Sequence, residues 1–293
     1  MRTRRWAPWL LWLVPALWSS NYVIARLAQG VVAPHALALG RWSLALMLML
    51  PFVAPALWRQ RAGLRREAGQ LVVLGALGMW ICGAIVYLGA HTTTATNIAL
   101  IYSVAPVGIA VVGVKLLHER MSGSQRVAVA LALSGVLFII ARGDPARLLS
   151  VRFTAGDGWL VLATASWIGY SVLLKRWPST LEPAVRLAAI IGGSLVILVP
   201  GALIEAWATP APALGARAGL LIGAAALLPG VLSYTAHAYL QRELGAARTA
   251  LMLYLAPVYG AIGAWLVLGE QPGWHHAVGA ALILPGIWLA TRR

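Results

Sequence analysis

The sequence predicts an all-α integral membrane protein of ten transmembrane helices, arranged as two inverted five-helix repeats. Composition is the first observation behind this. The 293 residues are 60% hydrophobic and only 11% charged, where an ordinary soluble domain carries roughly a quarter charged residues. The second is the spacing of apolar runs, each close to the ~20 residues a helix needs to cross a hydrocarbon core of about 30 Å. The third is an internal repeat. Ala99-Leu100 and Ala105-Pro106-Val107 recur as Ala250-Leu251 and Ala256-Pro257-Val258, Glu119 as Glu270 and Gly135 as Gly286, at an offset of 151. Earlier in the chain the offset is 149: Trp18 matches Trp167, Arg26 matches Lys175 and Pro34 matches Pro183. A copy with an odd number of spans forces the next copy to enter from the other side, which is the plan of many secondary transporters.

Hydropathy between charged and Gly/Pro-rich breaks places spans at 7–27, 34–57, 70–90, 95–117 and 125–142, then at 157–174, 183–204, 218–240, 247–268 and 275–291. The first repeat is therefore 1–142, the second 157–293, and 143–156 is an external linker. The basic start before the first apolar run resembles a secretory signal, but many further spans follow, so this span is expected to stay. With the N-terminus inside, sixteen Lys and Arg fall on the cytoplasmic face, among them Arg59, Arg61, Arg65 and Arg66. Only Arg142, Arg147, Arg152 and Arg217 fall clearly outside. Cytoplasmic loops retain positive charge, so both termini are expected in the cytoplasm.

The net charge of +15 would suggest nucleic acid had the basic residues formed one stripe, but they lie in short clusters between apolar runs. No nucleic-acid partner is expected. Cys82 is the single cysteine and lies in an apolar run, which leaves no intrachain disulfide and no thiol metal site. No metal or cofactor is expected. Oligomeric state is not legible.

Polar groups in lipid are costly and turn towards the protein interior or a wet cavity. On the first span these are Trp18, Asn21 and Tyr22, matched on the sixth by Trp167, Tyr170 and Ser171. On the third, Trp80, Ala84, Tyr87 and His91 recur at helical spacing, and on the eighth Tyr234, His237 and Gln241 do the same. The fourth offers Asn97, Tyr102 and Ser103 before Pro106, and the ninth Thr249 and Tyr254 before Pro257. Each proline removes a backbone donor and favours a kink, either a coordinating bend and hinge or plain packing. The candidate solute-binding set is Trp18, Asn21, Trp80, Tyr87, Tyr102, Ser103, Tyr234, His237 and Tyr254. A chamber rimmed by such rings suits flat or amphipathic solutes, including cations drawn to ring faces.

Several residues carry two readings. His237 is a neutral core histidine or a proton carrier, with His91 the other candidate proton site. Arg41 attracts a carboxylate or snorkels to the external interface. Glu119 and Glu270, the only matched acids, brace short loops or take part in coupling. No Asp or Glu sits near the middle of a span, which favours facilitated transport. Trp6, Trp9, Trp58, Trp177 and Trp274 fall at span ends and read as interfacial anchors. An intramembrane enzyme is the competing class, but the Ser103/His237 pair it would need lacks a supporting glycine-serine motif, so no catalytic activity is expected.

The Trp18-Ser19-Ser20-Asn21-Tyr22 segment, the Arg41-Trp42 pair after Pro34, the Ala-Pro motif before each Glu and the doubled set of five spans together resemble the EamA-type drug/metabolite transporter superfamily. The resemblance covers nearly the whole chain. It implies export of aromatic and other neutral amino acids by alternating access, or, as the alternative, export of drugs and aromatic cations, with or without proton coupling. Across the repeat Asn97 is replaced by Arg248 and Arg41 by Ile190, so the two copies are not expected to contribute equivalent ligands.

Overall fold

The computed structural model describes residues 6–90, 92–93, 95–118, 121–208, 214–269 and 271–291. His91, Glu119, Glu270 and the arginines at 2, 4, 5, 120, 292 and 293 lie outside the described residues, as does the side chain of Tyr87.

The first copy comprises α1 (Ala7–Ala28), α2 (Pro34–Arg59), a rod built from α3 (Arg61–Gly75), a π-helical segment (Ala76–Ile85) and α4 (Val86–Ala90), then α5 (Ala95–Leu117) and α6 (Gly123–Ala141). The short α7 (Ala146–Leu149) lies in the linker. The second copy comprises α8 (Ala155–Arg176), α9 (Pro183–Ala208), a rod of α10 (Ala216–Ala226), a π-helical segment (Leu227–Leu232) and α11 (Ser233–Leu244), then α12 (Ala246–Ala250), a 3₁₀ stretch (Leu251–Leu255), α13 (Ala256–Leu268) and α14 (Trp274–Thr291). Eight of these rods are long and apolar enough to cross a membrane. α1 is not among them, since it carries Ser19, Ser20, Asn21, Tyr22 and Arg26 among its tryptophans.

The largest boundary correction concerns the third span, expected from residue 70. Its helix starts at Arg61, so only Gln60 separates it from α2. Arg61, Arg65, Arg66 and Glu67 are good helix formers, and they extend the rod where hydropathy alone reads loop. The eighth span likewise runs from Ala216 to Leu244 rather than from 218 to 240. The two prolines also part company. α5 continues through Pro106, whereas the ninth rod tightens to 3₁₀ over Leu251–Leu255 and restarts as α13 with Pro257 in its first turn.

Packing follows a two-fold exchange of the copies. α6 packs on α14 and α2 on α9, while α5 on α8 is mirrored by α1 on α13, and α3 on α9 by α10 on α2. The equivalent helices run in opposite directions. At the α6/α14 contact a Cβ on Gly135 would stand 2.6 Å from the Gly279 carbonyl oxygen, and one on Gly286 2.9 Å from that of Ala128. Moving forward from 128 to 135 on α6 thus moves backward from 286 to 279 on α14. The α2/α9 pair repeats the pattern: His35 at the start of α2 meets Glu205 in the last turns of α9, while Gln60 after α2 meets Glu182 before α9. Glu205 accepts from the His35 and Ala36 amides at 2.8 and 3.2 Å, a carboxylate capping a helix N-terminus.

One contact differs in kind between the copies. Glu67 is buried and accepts from Ser179 Oγ at 2.6 Å, the Thr180 amide at 2.9 Å and Thr180 Oγ1 at 3.0 Å, tying α3 to the α8–α9 connection. Its counterpart 151 residues on is Ala218, which lies in an apolar cluster with Ile24, Ala28, Val32 and Leu37. The same junction is polar in one copy and greasy in the other.

Candidate functional site

The centre of the molecule is a cluster of rings drawn from both copies. Trp18 on α1 and Trp167 on α8 meet edge to face with centroids 5.2 Å apart. His237 lies 5.1 Å from the Trp18 ring and 5.4 Å from that of Trp167. Tyr234, one turn before it on α11, is within 6.0 Å of Trp18, Trp42, Trp167 and Tyr170. Trp42, Tyr170, Tyr234, His237 and Trp167 are all buried, so at this level the interface between the copies is filled by side chains. Edge-to-face pairs of this kind contribute about 0.5–1.5 kcal/mol each beyond burial.

The two π-helical segments frame the cluster. They begin at equivalent positions, Ala76 and Leu227, 151 residues apart. A π turn is wider than an α turn and is frequent at functional sites. Pro229 lies inside the second segment, and wider winding relieves the clash its ring would make in an α-helix. In the first segment Gly78 is required by contact: a Cβ there would stand 2.6 Å from the Tyr170 ring.

Carbonyls of these segments receive side-chain donors. In the first, Ser166 Oγ donates to Leu77 O at 2.9 Å, Tyr234 OH to Gly78 O at 2.7 Å and Trp42 Nε1 to Met79 O at 3.2 Å. In the second, Arg41 Nη2 donates to Pro229 O at 2.7 Å. Gly78 and Pro229 are the same position in the two copies, and each takes its donor from the opposite copy. Arg41 also donates to Asn21 Oδ1 at 3.4 Å and stacks its guanidinium 4.5 Å from the Trp42 ring centroid. Its burial corrects the snorkelling reading: a side chain held in the interior by these bonds does not reach the external interface.

The candidate residues do not all meet. Trp18, Tyr234 and His237 are in the ring cluster, and Asn21 is joined to it through Arg41. Trp80 points elsewhere, its indole nitrogen 3.8 Å from where a Cβ on Gly201 would be, beside His35. The wider winding from Ala76 changes the angle per residue, so the helical spacing that grouped Trp80 with this space fails there. Tyr254 is buried in a separate apolar cluster with Ala132, Val136 and Ile283 along the α6/α14 contact. Ser103 donates to Leu100 O in its own helix at 2.7 Å, and Tyr102 is half-buried on α5. Tyr87 falls on α4, its side chain outside the described residues.

Other residues take roles the sequence did not signal. Trp42 carries no spacing cue beyond its place beside Arg41, yet it is fully buried in the cluster. Asp157 accepts from Asn97 Nδ2 at 2.7 Å, from Thr154 and from Thr93, which turns Asn97 into a brace between α5 and α8. The capping spacing of Thr154 and Asp157 was the available signal. Trp6, Trp9, Trp58 and Trp274 are exposed as interfacial anchors would be, whereas Trp177 is half-buried against the core. Among the described residues no three His, Cys, Asp or Glu side chains are grouped to hold a metal.

Residues 5–141 and 154–292 each match the EamA-like transporter family. The chain belongs to that family. Among the relatives of this EamA-like transporter, an uncharacterized transporter of Archaeoglobus fulgidus is 25% identical over 97% of this chain and 96% of its own. A probable terminal-alkyne amino-acid exporter of Streptantibioticus cattleyicolor is 28% identical over 98% and 94% respectively. An S-adenosylmethionine/S-adenosylhomocysteine transporter of Chlamydia trachomatis is 23% identical over 93% and 86%. A solved crystal structure shares the fold, with a TM-score of 0.78 over 97% of this chain and 96% of that one at 19% identity. The chain is thus a multi-pass membrane transporter of small molecules.

Proposed function

We propose that this EamA-like transporter exports aromatic and other neutral amino acids across the bacterial inner membrane, by alternating access between the two inverted copies. The observation that carries this reading is the ring cluster at their interface, built from Trp18, Trp42, Trp167, Tyr170, Tyr234 and His237. Stacked rings recognise a flat or apolar side chain by dispersion and quadrupole contacts. An amino-acid head group is also the chemistry common to the solutes in the names of the Streptantibioticus and Chlamydia relatives.

In this reading ten crossings place both termini in the cytoplasm, the units 1–142 and 157–293 rock about their shared interface, and 143–156 lies outside. The π-helical segments suit such movement, since side-chain bonds from Tyr234 and Arg41 tie each one to the opposite copy. Those bonds and the Trp18/Trp167 contact hold the present arrangement and break as the chamber opens. Trp18, Asn21, Tyr234 and His237 are the solute-facing residues, with Trp80, Tyr102, Ser103 and Tyr254 entering only if rocking carries them inward. No acid lies at mid-depth among the described residues, so transport runs down the solute gradient.

Counterflow in proteoliposomes tests this. Vesicles preloaded with unlabelled phenylalanine are expected to accumulate labelled phenylalanine, with no dependence on an imposed pH gradient. Accumulation of an aromatic cation such as ethidium in place of any amino acid would shift the assignment to the drug-exporter alternative, which the ring faces also favour.

A further inference from the structure

One interior seam holds polar atoms that the fold leaves unanswered. α8 and α11 are pinned together at two levels: the Trp167 and His237 rings are 5.4 Å apart, and Lys175 Nζ donates to Gln241 O at 3.4 Å. Ser171 lies one helical turn from both Trp167 and Lys175, and Gln241 one turn beyond His237, so the three follow one another along this seam. Their exposures are 0%, 2% and 3%. Yet Ser171 Oγ, His237 Nδ1 and Gln241 Oε1 have no hydrogen-bond partner, and neither has Oγ1 of the fully buried Thr249 on α12, which packs against both helices.

Helix serines elsewhere in this chain behave otherwise. Ser20, Ser103 and Ser194 each turn their hydroxyl onto the carbonyl three residues earlier, at 2.6 to 2.7 Å. A buried polar atom left dry costs about 1–3 kcal/mol, so a run of them along one seam marks a place that something polar fills. The run also belongs to one copy alone. The positions equivalent to Ser171, His237, Gln241 and Thr249 are Tyr22, Val86, Ala90 and Ile98.

The geometry points to a hydrated recess along the α8/α11/α12 seam that takes the charged head of an amphipathic solute while the ring cluster takes its apolar part. This rests on the amino-acid reading above. The chemistry of the seam fits: Gln241 Oε1 accepts from an ammonium, the Ser171 and Thr249 hydroxyls donate to a carboxylate, and His237 Nδ1 serves either purpose by tautomer. The exposed Lys175 stands at the open end of the seam, where its charge draws a carboxylate in.

The test uses the full chain in liposomes with Cys82→Ser as background and a water-soluble maleimide as probe, because the reactive thiolate forms only in contact with water. Ser171→Cys and Gln241→Cys are expected to label about tenfold faster than Val172→Cys, a neighbour of Ser171 at the same depth on another face of α8. An excess of an amino acid that the parent protein carries is expected to slow that labelling. Equal rates at 171, 241 and 172 overturn the recess, and labelling indifferent to a carried solute overturns its role with the head group. Amino-acid flux of the parent in the same liposomes reports separately on the transport reading, since the labelling rates stand whether or not flux is found. Gln241→Leu gives a second measurement, with an unchanged or raised thermal midpoint and reduced flux expected. A lowered midpoint with normal flux counts against the recess.

Discussion

Trp18 and Trp167 are the same position in the two copies of the repeat, and they touch each other, edge to face at 5.2 Å. Equivalent residues can meet only where the two-fold relation between the copies passes, so this pair marks the point about which the halves exchange. His237 breaks the symmetry by packing against both rings, since the matching position in the first copy is Val86.

The first prediction follows from that pair. Trp18→Ala and Trp167→Ala are each expected to lower phenylalanine counterflow by at least about tenfold, a loss of roughly 1.4 kcal/mol of solute interaction. Trp→Phe at either site retains a ring and most of the flux. Parent-like counterflow from both alanine variants, at parent-like yield, would remove the pair from the solute path.

A second prediction concerns the backbone contact of α6 with α14. Gly135→Val places side-chain atoms where Gly279 O already stands 2.6 Å from the first of them, so the helices must separate. A collapse in the yield of monodisperse protein is expected on size-exclusion chromatography. Gly219→Ala is the control, because a Cβ there meets nothing within 4 Å.

The polar junction at Glu67 supplies the third. Glu67→Ala strands three donors from Ser179 and Thr180 and is expected to destabilise the detergent-solubilised protein by about 1.5–3 kcal/mol. Glu67→Gln keeps an acceptor oxygen and recovers part of this. Ala218→Ser, at the equivalent apolar junction, is expected not to add stability, because no partner awaits its hydroxyl among Val32, Leu37 and Leu221. Thermal midpoints of the three variants, measured side by side, check the ordering.

Orientation gives the fourth. In the Cys82→Ser background, Ser150→Cys in the linker is expected to react with an impermeant maleimide on intact cells. Ser124→Cys, at the exposed start of α6, is expected to react only after permeabilisation. The opposite pattern would invert the topology.

Much of this was open to reading from the chain alone, because the governing physics is one-dimensional. A residue's cost in hydrocarbon is local, so apolar runs between charges located the rods, and a repeated order of Trp, Arg, Ala-Pro and Gly exposed the duplication. The third rod's early start at Arg61 escaped that reading because hydropathy registers solubility in lipid and not helix propensity. Asn97 was legible as a polar residue in a span but not as a brace, since its partner Asp157 is sixty residues away.

What the sequence determined by itself is therefore the doubled, membrane-spanning plan and the family, for both rest on composition and on order along the chain. The tertiary structure alone decided which rings meet. Helical spacing assumes a constant angle per residue, and the π-helical turns at Ala76–Ile85 and Leu227–Leu232 break that assumption where the two copies touch. Trp80 turns away towards Gly201, Trp42 and Tyr170 enter the cluster, and the carbonyls of Gly78 and Pro229 find donors from the opposite copy. Such contacts depend on where whole helices lie in space, which no pattern within a single helix encodes.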